Sequence, residues 1–291
     1  MRVHLVDGTY ELFRHYFAVP KTSDATGREV GAVLGVLRSM LGLLQDGATH
    51  LGVATDHVVE SFRNQLWAGY KTGEGIEPDL HAQFHPLEDA LAAMGVVVWP
   101  MKELEADDGL ASAAFLAAGD LRVEQILICT PDKDLSQCVV ADRIIQFDRR
   151  KRELRTEAMV VEKFGVLPAS IPDYLALVGD SADGYPGVKG WGAKSAGAVL
   201  ARYGHLERIP PDPAAWEAPV RGAGRLGASL AAQLEDAFLF RTLATLRVDA
   251  PLFRSVDELH WTGPSAQFQS LAADLGAPEL WERAQRIEPA G

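Results

Sequence analysis

The chain has 291 residues, 47% hydrophobic and 23% charged, enough to bury a sizeable core in one large domain or two ordinary ones. That composition excludes disorder as the main state, and no apolar run approaches the ~18–20 residues that span a bilayer. Forty acids against 28 basic residues leave a formal charge of −12. This argues against coating nucleic acid through bulk charge, but not against holding it through local patches. The two cysteines, Cys129 and Cys138, make no disulfide framework and have no zinc-type partners nearby. Cys129 closes an apolar run and reads as a buried thiol. The N-terminal stretch meets Asp7 too early for a secretory signal, so a reducing cytoplasm is the expected compartment.

Taken in order, residues 3–6 read as a strand buried on both faces. Residues 31–44 carry Val33, Leu34, Leu37, Leu41 and Leu44 at helical spacing. A second strand is expected at 51–54, a helix at 86–94, a third strand at 96–99, an alanine-rich helix at 106–118 and a fourth strand at 124–129. Residues 143–147 and 153–156 are expected to pair as a hairpin across the basic turn Arg149-Arg150-Lys151-Arg152, a solvated tip. This alternation predicts an α/β domain with a mostly parallel sheet over residues 1–170. From about Ser170 helical segments dominate, separated by Gly/Pro-rich turns at 184–192, 210–213 and 219–227, the last expected to be flexible. Residues 171–291 are therefore read as a helical domain.

The informative feature is where the aspartates fall. Ligands of open parallel sheets bind beyond the carboxyl ends of the strands. Asp7 follows the first strand, Asp56 the second, Glu105, Asp107 and Asp108 the third, and Asp132 and Asp134 the fourth; Asp180 and Asp183 follow a helix at 173–178. Taken singly, such acids are caps and loop residues. Converging, two carboxylates ~4 Å apart repel by roughly 4 kcal/mol at an effective dielectric near 20, so protonation or divalent cations must relieve them. An all-oxygen set selects Mg²⁺ or Mn²⁺, and paired ions suit phosphodiester hydrolysis with no protein nucleophile. Leu5-Val6-Asp7-Gly8-Thr9 is similar to the phosphatase motif Asp-x-Asp-Gly-Thr, but Leu5 stands where the nucleophilic aspartate belongs.

These segments carry a resemblance. Leu5-Val6-Asp7-Gly8 with Arg14, Ser61-Phe62-Arg63 leading to Gly69-Tyr70-Lys71, and Glu105-Ala106-Asp107-Asp108 come first. Pro131-Asp132-Lys133-Asp134-Leu135, Ala176-Leu177-Val178-Gly179-Asp180-Ser181-Ala182-Asp183 and the run Pro186–Ala196 follow. In this order they resemble the bacterial 5′→3′ exonuclease and flap endonuclease family, over about residues 3–259, in its stand-alone form without a polymerase portion. The resemblance implies a PIN-like (resolvase-like) nuclease domain followed by a helix–three-turn–helix over about 173–205. It implies that Asp7, Asp56, Glu105 and Asp107 hold the catalytic metal, and that Asp108, Asp132, Asp134, Asp180 and Asp183 complete the shared and second positions. Two Mg²⁺ ions, replaceable by Mn²⁺, would serve 5′→3′ exonuclease and 5′-flap cleavage in DNA replication and repair.

By the same resemblance Arg63 and Lys71 would contact the scissile phosphate. Tyr10 and Tyr70 are candidates to stack on terminal bases, a buried aromatic being at least as good a reading of each. Arg14 would at most pair with a carboxylate. Gly190-Trp191-Gly192 would grip duplex DNA, with Lys189 and Lys194 beside it; glycines admit a phosphate to the backbone, and the following helix N-terminus offers amides. Backbone carbonyls at Leu177, Val178, Pro186, Val188 and Trp191 match those that hold a potassium ion. The chain departs from the family pattern at Glu74, where an arginine is usual, and at Gly184, where an asparagine is usual. Residues 75–88 should build the arch that passes single-stranded 5′ ends, yet they carry Glu77, Asp79 and Glu88 and no Lys or Arg. The expected partners are DNA 5′ ends, flaps and duplex junctions. The competing readings are a structure-specific DNA-binding module with little catalysis, which would lose nothing with Asp107→Ala, and a phosphatase of small substrates.

Overall fold

The computed structural model describes residues 1–289. The chain forms two compact units: Met1–Val59, Gly73–Thr130 and Arg247–Gly291 make the first, and Glu60–Thr72 with Pro131–Leu246 the second.

In the first unit the apolar runs become parallel strands β1 (Arg2–Asp7), β2 (His50–Asp56), β3 (Val97–Met101) and β4 (Gln125–Cys129), side by side in the order β3-β2-β1-β4. Val3 pairs with His50 and Ile126, and Val6 with Val53 and Cys129, so the carboxyl ends of β1, β2 and β4 lie along one edge. Val3, Leu5, Val6, Val53, Ile126 and Ile128 are completely buried, as expected of a sheet covered on both faces. The helices Gly31–Gln45, Phe84–Ala93 and Ala106–Ala118 stand where their periodicity placed them. The helix Gly8–Ala18 was not anticipated; Asp7 Oδ1 accepts the Tyr10 N–H at 2.8 Å and caps it.

Residues beyond 246 return to this first unit. Trp261 N–H donates to Thr49 O at 2.8 Å and its indole to Met94 O at 2.9 Å, while Phe268, Ala272 and Leu280 are buried. The compact units are therefore interleaved along the chain, whereas composition suggests a single cut near Ser170. Among the described residues no helix is long and apolar enough to cross a membrane.

In the second unit β5 (Ile144–Asp148) and β6 (Glu153–Arg155) pair antiparallel around the basic turn, as the hairpin expectation held. The helices Glu157–Phe164, Ile171–Val178, Ala193–Tyr203, Ala223–Ala232 and Leu234–Ala244 enclose Leu175, Val188, Val199, Leu200, Phe240 and Leu243. The last-but-one helix begins inside the stretch 219–227 that composition marked as flexible. Gly179 and Gly187 have φ of +84° and +70°, and a Cβ on either would come within 2.5 Å of the other strand of backbone. Only glycine permits that crossing.

Candidate metal centre and nucleic-acid interface

The first unit brings Asp7, Asp56, Glu105, Asp107 and Asp108 to the carboxyl edge of its strands. Asp7 is 6% exposed; besides capping the first helix it accepts the Thr130 hydroxyl at 3.0 Å. Asp56 Oδ1 accepts the Ala106 N–H at 2.8 Å, tying the end of β2 to the helix that opens with Glu105, Asp107 and Asp108. Glu105 and Asp108 form a reciprocal capping box: Glu105 N–H donates to Asp108 Oδ2 at 3.0 Å, and the Glu105 side chain accepts the Asp108 N–H. Asp108 is fully buried and also accepts the Arg247 N–H at 2.9 Å. Asp107, between them, is half-buried.

The second unit builds a tighter set. Asp134, Asp180 and Asp183 each offer an oxygen within 4.8 Å of the others. Asp134 heads a short 3₁₀ turn whose entry is fixed by its own N–H donating to Asp132 Oδ1 at 2.9 Å. Asp180 and Tyr185 form an antiparallel bridge, and Asp180 Oδ1 accepts the Ala182 N–H at 3.0 Å. Lysines lie on this set: Lys133 pairs with Asp180 and, at 3.5 Å, with Asp134, and Lys71 with Asp183 at 3.1 Å. Burial first, then the charges of Asp132 and Asp183, push the Asp134 carboxyl well above the usual carboxylate range; Lys133 opposes them. Burial pulls the Lys133 ammonium down, but Asp134, Asp180 and Asp132 outweigh it and hold the lysine charged. All-carboxylate donors carrying this like-charge stress fit a hard divalent cation, and no thiolate or imidazole is among them.

Three expectations fail. Arg63 is 1% exposed, and its guanidinium donates to the carbonyls of Leu243 at 2.8 Å and Thr245 at 3.2 Å. A side chain so enclosed braces the helical core; the expected phosphate contact does not fit it. Tyr70 is 4% exposed and belongs to the same core, so it offers no face to a base. Glu88, assigned to an acidic arch, is buried in the helix Phe84–Ala93, accepting from Thr55 Oγ1 and paired with His57, each at 2.7 Å. Of the residues before it, Leu80 and Gln83 are buried, Gln83 Oε1 accepting the N–H groups of Ala32 and Val33, whereas Glu77 and Asp79 are exposed and Asp79 pairs with Lys21 at the surface. Lys71 pairs with Asp183 of the set, and Arg14 pairs with Glu11 at 2.5 Å.

Gly190 and Gly192 flank the entry to the helix Ala193–Tyr203, and a Cβ on either would meet nothing within 4 Å. Gly190 has a φ of +84°, which favours glycine, whereas Gly192 is in extended backbone open to any residue. Ser195 Oγ accepts the Gly192 N–H at 3.1 Å, shaping the first turn. A cleft of about 600 Å³ here is lined by Gly190, Gly192 and Lys194 together with Arg221 and Arg225. Sequence reasoning missed those two arginines, which lie about thirty residues further along; their spacing within 219–227 was the available signal. The carbonyls of Leu177 and Val188 accept the N–H groups of Val188 and Trp191 at 3.0 and 3.1 Å, while the exposed Lys189 takes its place beside Gly190.

Residues 2–165 match the 5′-3′ exonuclease N-terminal resolvase-like domain, and residues 166–267 the 5′-3′ exonuclease C-terminal SAM fold. The chain is 36% identical over 266 residues to DNA polymerase I of Pseudomonas aeruginosa, covering 88% of this chain and 28% of that one. It is 33% identical over 261 residues to a 5′-3′ exonuclease of Aquifex aeolicus, covering 88% and 86%. A bacteriophage T5 flap endonuclease, solved in a pseudo-enzyme-product complex with DNA and metal ions, has the same fold, with a TM-score of 0.67 at 20% identity over 99% of this chain and 98% of that one.

Proposed function

Since the chain belongs to the 5′-3′ exonuclease family, we propose that it is a divalent-metal-dependent nuclease that removes nucleotides from DNA 5′ ends and cuts 5′ flaps. The observation that carries the reading is the convergence of Asp134, Asp180 and Asp183 with Lys71 and Lys133 laid against them. Asp134, Asp180 and Asp183, with Asp132 behind them, hold one ion; Asp7, Asp56, Glu105 and Asp107 hold the other, and Asp108 keeps their loop in place. Mg²⁺ or Mn²⁺ bound there supplies Lewis-acid stabilisation of the phosphodiester and of the attacking and leaving oxygens.

The chain's own groups do the rest. Lys71 neutralises a phosphate oxygen as charge develops, exchanging its Asp183 contact for the substrate. Gly190, Gly192 and the first-turn amides at Ala193 admit a duplex phosphate, and Lys189, Lys194, Arg221 and Arg225 neutralise its neighbours. A potassium ion on the carbonyls of Leu177, Val178, Pro186, Val188 and Trp191 would stiffen that turn. Cys129 and Cys138, neither of them in a disulfide, are compatible with a cytoplasmic setting.

The test is a 5′-flap duplex labelled at each end, incubated with protein and Mg²⁺ or Mn²⁺, with a blunt duplex, a single strand and Asp107→Ala protein beside it. Metal-dependent cleavage at the junction, absent with Asp107→Ala, is expected. Tight duplex binding with no cleavage in either metal would overturn the nuclease and leave a DNA-binding module.

A further inference from the structure

Tyr185 is not assigned by anything above, and its hydroxyl is out of keeping with its surroundings. The residue is 1% exposed, and Oη has no hydrogen-bond partner. Buried tyrosines ordinarily satisfy that group, because an enclosed O–H without an acceptor loses its water and gains nothing. The ring is well held, stacked on Phe240 with centroids 5.6 Å apart and planes 22° apart. A phenylalanine would fill the same space.

The position of the side chain explains the hydroxyl. Asp180 and Tyr185 face each other across an antiparallel bridge, exchanging backbone hydrogen bonds of 2.9 and 3.0 Å. Residues directly opposed in this way project their side chains from the same face. The phenol thus lies among Asp180, Asp134 and Asp183, whose charges all act on it. One oxygen of that trio, Asp134 Oδ1, is likewise buried without a hydrogen bond. An orphan donor thus shares one acidic cluster with an acceptor that lacks a hydrogen bond and has the Lys133 ammonium 3.5 Å away.

We propose that Tyr185 is a positioning residue of this ion site: its hydroxyl donates to the Asp134 carboxylate when Asp134, Asp180 and Asp183 hold a divalent cation. The inference rests on the metal reading given above. Its role is to fix which lone pair of Asp134 faces the ion, as outer hydrogen bonds do for ligating carboxylates elsewhere.

Tyr185→Phe, studied in the full chain with Mn²⁺ as the probe, tests this by calorimetric titration and by thermal melting in chelator. Asp180→Asn marks which part of the isotherm belongs to this ion. The expected result is an Mn²⁺ affinity at that site about tenfold lower or more, with a melting midpoint in chelator equal to or above that of the parent, since an orphan hydroxyl has been removed. Unchanged affinity beside normal binding by the parent would overturn the proposal while leaving the metal reading intact. A lowered midpoint in chelator would also overturn it, showing the hydroxyl to be an ordinary structural donor. If the parent binds no Mn²⁺ and Asp180→Asn changes nothing, the metal reading fails and this proposal with it.

Discussion

Asp108 and Arg247 stand 139 residues apart in the chain, yet the Arg247 N–H donates to Asp108 Oδ1 at 2.9 Å. The other oxygen accepts the Glu105 N–H. One carboxylate thereby fastens the returning C-terminal segment to the helix that carries Glu105 and Asp107.

Asp108→Ala should strand two backbone amides, each at a cost of about 1–3 kcal/mol, and lower stability by roughly 3 kcal/mol in urea unfolding. Asp107→Ala, one residue earlier and half-buried, should change stability by less than about 1 kcal/mol and abolish cleavage. Equal stability losses in the two variants would contradict the division of roles.

Arg63 and Lys71 should separate in the same manner. Removing the Arg63 guanidinium leaves the carbonyls of Leu243 and Thr245 without their donor inside the helical core, so Arg63→Ala is expected to cost about 3 kcal/mol or more. Lys71→Ala should melt close to the parent and lose at least tenfold in cleavage rate at saturating DNA. The comparison needs only melting curves and single-turnover kinetics.

Gly192→Ala probes the duplex grip. Its φ of −147° is open to any residue and its Cβ would meet nothing, so the cost is that of alanine at an N-cap, about 1 kcal/mol or less. Duplex affinity, measured by fluorescence anisotropy, should nevertheless fall, because the methyl occupies the approach of a phosphate. Undiminished affinity would remove Gly192 from the interface.

Acid should loosen the first unit through His50. Burial first, then the charge of His260, whose ring centroid is 5.1 Å away, hold the His50 imidazole below its ordinary value of 6.5; the N-terminus and Arg122 add to this and Asp257 opposes it. A depressed histidine resists protonation when folded, so its share of stability is present above pH 6.5 and is lost as pH falls from there through the lower folded-state value. The melting midpoint should drop between pH 7 and 5.5, and less steeply in His50→Gln. Parallel curves for the two proteins would exclude His50 as the cause.

Local pattern was sufficient for much of this protein. Apolar runs of four to seven residues alternating with helical spacing determined the parallel strands β1–β4 and the helices at 31–45 and 106–118, because the apolar pattern within each segment shows which of its residues must be buried, whichever partner buries them. The acids were legible for the same reason: Asp7, Asp56, Glu105 and Asp107 each stand just beyond an apolar run. Gly190-Trp191-Gly192 announced a tight turn before a helix.

Whatever depended on distant partners was decided only by the tertiary structure. Arg63 resembled a phosphate contact until the carbonyls of Leu243 and Thr245, 180 and 182 residues away, enclosed it. Glu88 counted as one more acid in an arch until Thr55 and His57 closed over it. Nothing near Tyr185 in sequence tells that its hydroxyl lacks a partner, and nothing near Ser170 tells that residues beyond 246 return to the first unit. A sequence carries the type of each group and its local spacing. Whether a charge or a hydroxyl meets water or a buried partner depends on contacts between segments far apart in the chain, and that is where each of these residues acquired its role.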